Sequence, residues 1–199
     1  MKRSEINAVI RKFEALLDKY SFALPPFLSW TPEEWQTKGH EYDEIRDNML
    51  GWDVTDYGMG QFDTLGLALI TIRNGNVHNP KYTKCYAEKI MMCDEGQVSP
   101  MHFHWNKMED IINRGGGNVL IRVYNSTKDE DLDKVNDVHV HVDGRTNSLR
   151  IQMWKSARMG GDILSRQGRQ WCCARAKACR CIHIITMSLS SRKTGEDRR

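Results

Sequence analysis

Gly96-Gln97-Val98-Ser99-Pro100-Met101-His102-Phe103-His104-Trp105-Asn106-Lys107-Met108-Glu109-Asp110-Ile111-Ile112-Asn113-Arg114-Gly115-Gly116 is the stretch on which the reading of this chain turns. His102 and His104 stand two apart, so on a β-strand both imidazoles leave the same face. Glu109 follows five residues later, where a strand that bends through a short connection brings a carboxylate back to the same point. Two neutral nitrogens and one carboxylate oxygen suit Mn²⁺, Fe²⁺, Co²⁺, Ni²⁺ or Zn²⁺. The set lacks thiolates, which favours an open catalytic centre over a closed structural zinc site. Gly115-Gly116-Gly117 has neither the strand-to-helix setting nor the Lys-Ser/Thr of a phosphate loop. A hairpin turn with positive φ accounts for these glycines.

Working outward, residues 4–20 predict an amphipathic helix with Ser4 as N-cap. Ile6, Val9, Ile10, Phe13, Leu16, Leu17 and Tyr20 form its single apolar stripe. Pro25 and Pro26 prevent its continuation. Strands are expected at 65–72, 87–93, 98–105, 109–112 and 119–124, with turn signals at Asn74-Gly75 and Asp94-Glu95-Gly96. Val138, Val140 and Val142 alternate with His139 and His141 before Asp143-Gly144, which predicts a half-buried strand with solvent-facing histidines. Short strands joined by tight turns predict a mainly β sandwich or barrel with the helix packed outside.

Bulk composition adds two constraints. With 40% apolar residues in 199, the chain can build one real core. It has neither an 18-residue apolar run nor an apolar signal core after Lys2 and Arg3, so a soluble cytoplasmic protein is expected. The net charge of +3 is unevenly spread. Residues 1–148 hold 17 Lys+Arg against 23 Asp+Glu, whereas 149–199 hold 12 against 3, together with Cys172, Cys173, Cys179 and Cys181. Spacings of C-x₅-C and C-x-C are not the paired C-x₂-C of zinc knuckles, and no nucleic-acid or membrane partner is expected.

The glycines, histidines and glutamate of 96–116 reproduce the first motif of the cupins, and longer stretches are more specific. Gly39-His40-Glu41-Tyr42-Asp43-Glu44-Ile45-Arg46-Asp47-Asn48-Met49-Leu50-Gly51-Trp52, Tyr86-Ala87-Glu88-Lys89-Ile90-Met91, Met101-His102-Phe103-His104-Trp105 and 107–117 resemble bacterial D-lyxose isomerases across about residues 1–145. That resemblance implies a cupin barrel (a double-stranded β-helix, or jelly roll) with N-terminal helices. It also implies a manganese-dependent, usually dimeric aldose–ketose isomerase that interconverts D-lyxose and D-xylulose and accepts D-mannose. It carries His102, His104 and Glu109 over as Mn²⁺ ligands, and Lys89 and Lys107 as catalytic or sugar-contacting groups. Glu88 is a further candidate for proton transfer. A divalent ion gripping the C1 and C2 oxygens lowers the cost of oxyanion charge while a base shuttles the proton between the carbons.

The family's later motifs, Gly-Glu-Ser and a Tyr-His pair that supplies a fourth ligand, do not occur after residue 148. The later histidine is His183. The expected organisation is therefore a cupin-type isomerase domain, 1–148, followed by a divergent basic tail, 149–199, with the barrel incomplete at its C-terminal side. An active isomerase using His183, an inactive truncated relative and a non-catalytic sugar- or metal-binding cupin all remain open. Arg175-Ala176-Lys177-Ala178, read from the third base of each codon, permits Gly-Glu-Ser, and a Tyr-His pair can follow, as a frameshift would leave them. Sequencing the coding DNA checks this: a frame encoding both motifs over residues 175–187 is expected, and a gene lacking it excludes a frameshift.

Overall fold

The computed structural model describes residues 1–104 and 107–150, together with the backbone of the strands at 155–157, 162–165, 170–177 and 181–189. Helix α1 spans Arg3–Lys19, one residue earlier than the apolar stripe predicts. Ser4 lies inside it rather than at its cap. The N-cap is Lys2, whose backbone N–H donates to the Glu5 carboxylate at 2.6 Å and so satisfies one of the free groups of the first turn. Two short helices follow, α2 (Pro32–Gln36) and α3 (Asp43–Asp47). Thr31 caps α2 by accepting from the N–H of Glu34, and the Glu34 carboxylate accepts in return from the N–H of Thr31.

The remaining elements are strands. An eight-stranded sheet contains β1 (Gly51–Thr55), β2 (Leu67–Arg73), β3 (Tyr86–Cys93), β5 (Lys107–Gly115), β7 (Val138–Val142), β8 (Arg145–Leu149), β10 (Asp162–Ser165) and β12 (Cys181–Leu189). Their spatial order is β1-β2-β3-β12-β5-β10-β7-β8. A four-stranded sheet orders β4 (Val98–Phe103), β11 (Gln170–Lys177), β6 (Asn118–Asn125) and β9 (Lys155–Ala157) as β4-β11-β6-β9. These two sheets give the jelly-roll class expected of a cupin.

Two cores follow from strand alternation. Leu69, Ala87, Met91 and Ile111 of the larger sheet meet Val119, Ile121 and Val123 of the smaller one between the sheets. The alternate residues Ala68, Ile70, Ile72, Ile90 and Met92 leave the other face of the larger sheet and bury Val9, Phe13 and Leu17 of α1. Strands β2 and β3 are therefore apolar on both faces, one turned to the barrel and one to the helix. Trp52 closes the helix side: its ring stands edge-on to Phe13 at 5.6 Å, and its indole N–H donates to the carbonyl of Leu28 at 3.0 Å.

Two expectations are corrected here. Asn74-Gly75 is not a tight hairpin turn, because neither residue has positive φ. Asn74 instead exchanges amide-to-carbonyl hydrogen bonds with Asn48, each 3.0 Å, and ties the β2–β3 connection to the end of α3. The barrel is also not left open where residues after 148 were expected to fail. Strand β12 fills the place between β3 and β5, and β11 fills the place between β4 and β6. Strand pairing uses backbone N–H and C=O groups that any residue except proline supplies, and 149–199 contains no proline. Among the described residues, no helix is long and apolar enough to cross a membrane.

Phe13 is fully buried at the centre of the helix–sheet core. Phe13→Ala should cost about 3–5 kcal/mol by cavity formation, read as a lower midpoint in urea denaturation with an unchanged m-value.

Candidate metal centre

Strands β4 and β5 belong to different sheets. His102 lies near the end of β4, His104 one residue past it, and Glu109 near the start of β5. The candidate centre therefore lies where the two layers meet at one end of the barrel. The ligand atoms of His102, His104 and Glu109 all lie within 4.8 Å of one another. The two imidazole rings are 4.9 Å apart and inclined at 72°. His104 Nε2 is 3.0 Å from Glu109 Oε1. Ligands bound at about 2.1 Å with angles near 90° put their donor atoms about 3 Å apart, so this spacing fits one divalent ion. Both histidines are half-buried, while Glu109 is only 6% exposed.

The tautomer of His102 is set by its neighbour. Its Nδ1 lies 2.9 Å from the Pro100 carbonyl, which only accepts, so Nδ1–H donates and the Nε2 lone pair is left for a metal. A carboxylate as buried as that of Glu109 is costly without positive charge nearby. The His104 ring nitrogen, 3.0 Å from its Oε1, or a divalent ion held with it, offsets that cost. All three ligands expected from the sequence are thus brought together.

Lys89 lies on β3 between Ala87 and Met91, whose side chains point into the inter-sheet core. Alternation turns half-buried Lys89 to that same interior face. Glu88 points the other way, with Ile90 and Met92, and is held by the guanidinium of Arg73. Glu88 is thereby removed from the interior. Lys107 opens β5, but its side chain lies outside the described residues, as do Trp105 and the side chain of His183. The register sets His183 opposite Asn113 and Met91, whereas Met187 stands opposite Glu109. His139 is exposed and His141 is half-buried, its Nδ1 within 3.1 Å of Thr146 Oγ1, so neither joins the centre.

Two supporting residues were not foreseen. Asn113, fully buried, donates to the Gly117 carbonyl at 2.9 Å and accepts from the Gly115 N–H at 3.3 Å, fixing the end of the hairpin whose turn residue Gly116 has φ +89°. Tyr20, beyond the end of α1, lies against Gly115 so closely that an added Cβ would sit 2.5 Å from the ring. A buried asparagine just before a glycine turn was the available signal for the first. Nothing in the local sequence announces the second.

The model of the D-lyxose isomerase family matches residues 1–160. The chain belongs to the D-lyxose isomerase family. A D-lyxose/D-mannose isomerase of Escherichia coli O157:H7 is 45% identical over 145 residues, and one of Serratia proteamaculans is 43% identical over the same length. Each alignment takes in 72% of this chain and 63% of the relative, so the chain matches less than two thirds of those proteins. Among solved structures, a variant L-ribose isomerase of Acinetobacter sp. DL28 in complex with L-ribose superposes with a TM-score of 0.62 at 11% identity, covering 100% of this chain and 87% of that one. The L-ribose isomerase of Geodermatophilus obscurus gives 0.59 at 12%, covering 96% and 85%. At such identities the likeness is one of fold, and it extends over the strands after residue 148 as well as those before it.

Within this D-lyxose isomerase fold, Gly115→Ala should destabilise by about 1–3 kcal/mol, because the new methyl meets a packed aromatic ring. Adding Tyr20→Ala should recover part of that loss in a double-mutant cycle of denaturation midpoints.

Proposed function

We propose that the chain is a cytoplasmic, homodimeric, Mn²⁺-dependent aldose–ketose isomerase acting on D-lyxose and D-xylulose, and on D-mannose and D-fructose. The observation that carries this reading is the convergence of His102, His104 and Glu109 within 4.8 Å, in a chain of the D-lyxose isomerase family. A divalent ion held by these residues supplies a Lewis acid for the oxygens at C1 and C2 of the sugar. His102 offers its Nε2 because Pro100 holds the proton on Nδ1. Glu109 contributes negative charge from a buried position, which offsets part of the ion's charge and fixes its place.

Lys89 faces the interior from β3 and is the group assigned to meet the sugar: its ammonium donates to an oxygen that gains charge as hydrogen leaves C2 and returns at C1. Lys107 is assigned a supporting role beside the sugar from the first position of β5. A second reading has its own support. The alignment with the curated relatives ends after 145 residues, so the tail differs from theirs and the centre binds metal with little turnover.

Both readings meet in one experiment. Protein depleted with a chelator should regain conversion of D-lyxose to D-xylulose when Mn²⁺ is returned, with one bound ion by elemental analysis. His104→Ala and Glu109→Ala should lose both the ion and at least about a hundredfold in rate, and Lys89→Ala should keep the ion while losing about a hundredfold in kcat. Bound metal without conversion selects the second reading, and absence of bound metal refutes both.

A further inference from the structure

Among the described residues, buried polar side chains are paired, with one exception. Asn48 donates to the Asn74 carbonyl, Gln97 to the Phe62 carbonyl, and Asp56 accepts from the N–H groups of Gly58 and Gly60. The Ser99 hydroxyl meets that of Tyr57, Asn113 ties the hairpin turn, and Glu109 faces His104. Thr71 is 5% exposed, and among the described residues its hydroxyl has no hydrogen-bond partner. A buried hydroxyl left unpaired is costly, and valine would fill the same space without that cost. Such a hydroxyl is accounted for by a polar group that arrives from outside the chain.

Alternation fixes where this hydroxyl points. Leu67 and Leu69 pack into the inter-sheet core while Ala68, Ile70 and Ile72 meet α1, so Thr71 continues the interior row of β2. Directly opposite it on β3 stands Lys89, the interior-facing lysine, and side chains so opposed have Cβ atoms about 4.5–5.5 Å apart. Strand register sets their depth. Met187 of β12 stands opposite both Ala87 and Glu109, so Lys89 and Thr71 lie two residues, about 7 Å, from the level of Glu109. Just ahead of β2, Leu65 bridges to Val98 of β4 in parallel, and the Gly66 N–H donates to the Val98 carbonyl at 3.2 Å. Thr71 lies six residues past Leu65 and His104 six past Val98, so the two strands bring the hydroxyl and the imidazole to comparable depth.

We propose that Thr71 is a sugar-positioning residue, whose hydroxyl hydrogen-bonds a substrate hydroxyl beyond C2 beside Lys89. The assignment rests on the isomerase reading above and adds to it a wall against which the sugar chain lies. A threonine hydroxyl both donates and accepts, as a sugar hydroxyl does. The C1 and C2 oxygens are those already given to the ion and to Lys89. Because this hydrogen bond involves no reacting atom, it forms equally in the bound substrate and in the transition state. Its loss therefore raises KM and leaves kcat, the opposite of the split expected at Lys89.

Thr71→Val, which keeps the shape and removes the hydroxyl, tests this in the full chain supplied with Mn²⁺. Affinity is read by calorimetry with D-arabinitol, the polyol formed by reducing D-lyxose, which cannot isomerise. Thr71→Val should bind it about tenfold more weakly, about 1.4 kcal/mol, and raise KM for D-lyxose by a similar factor with kcat within about twofold. Thr71→Ser should restore most of both, and metal content should not change in either variant. Should the valine variant not fold, Thr71→Ala against Thr71→Ser gives the same comparison. Parental affinity and KM in Thr71→Val make Thr71 a packing residue and overturn the assignment, as does a loss of kcat or of metal in place of affinity. Where the parent converts D-lyxose without binding the polyol, the KM and kcat split decides. A parent that neither binds the polyol nor converts D-lyxose overturns the isomerase reading and the assignment together.

Discussion

A carboxylate with 6% of its surface exposed, placed at the seam between two β-sheets, is the constraint around which this molecule is organised. Glu109 lies near the start of a strand of the larger sheet, and His102 and His104 lie near the end of a strand of the smaller one, His104 one residue past it. Burying that charge is tolerable only if the sheets hold the imidazoles against it, so seam and centre depend on each other. Packing on either side supports the seam. The inter-sheet core sets the spacing of the layers, and α1 backs the larger sheet through Val9, Phe13 and Leu17.

The helix side reaches the hairpin as well. Tyr20, just past α1, rests on Gly115 at the far end of β5, and Asn113 ties the adjoining turn through two hydrogen bonds. The strand bearing Glu109 is therefore fixed at both ends, at one by the seam and at the other by the helix and the turn. Rigid support of this kind is what a metal centre requires, because ligand geometry tolerates little displacement.

Much of this was legible in the sequence. The histidine–glutamate spacing, the apolar stripe of α1, the exposed His139 and the glycine turn each arise from a local period or a local backbone need, and local patterns are what a sequence displays. The role of β3 was not legible, because it is apolar on both faces. Whether Lys89 or Glu88 faces the interior is decided only once α1 is known to take the side of Ile90 and Met92. Ser4 had the right chemistry for a cap, yet Glu5 satisfied the first turn from inside the helix. The strands after residue 148 were hidden for another reason. Their basic, cysteine-bearing composition lacks the usual alternation, while their pairing draws on backbone groups that composition does not record.

The order of strands in the larger sheet has a consequence for how the chain reaches this state. Strand β12, late in the sequence, lies between β3 and β5, both made much earlier. Neither can complete its ladder on that side until Cys181–Leu189 arrives, so the centre of the sheet closes late and through contacts distant in sequence. Such topologies fold slowly and keep unpaired edges exposed while they wait. During synthesis the half-made molecule carries two such edges facing one vacant slot, and any extended peptide that enters it competes with the chain's own strand.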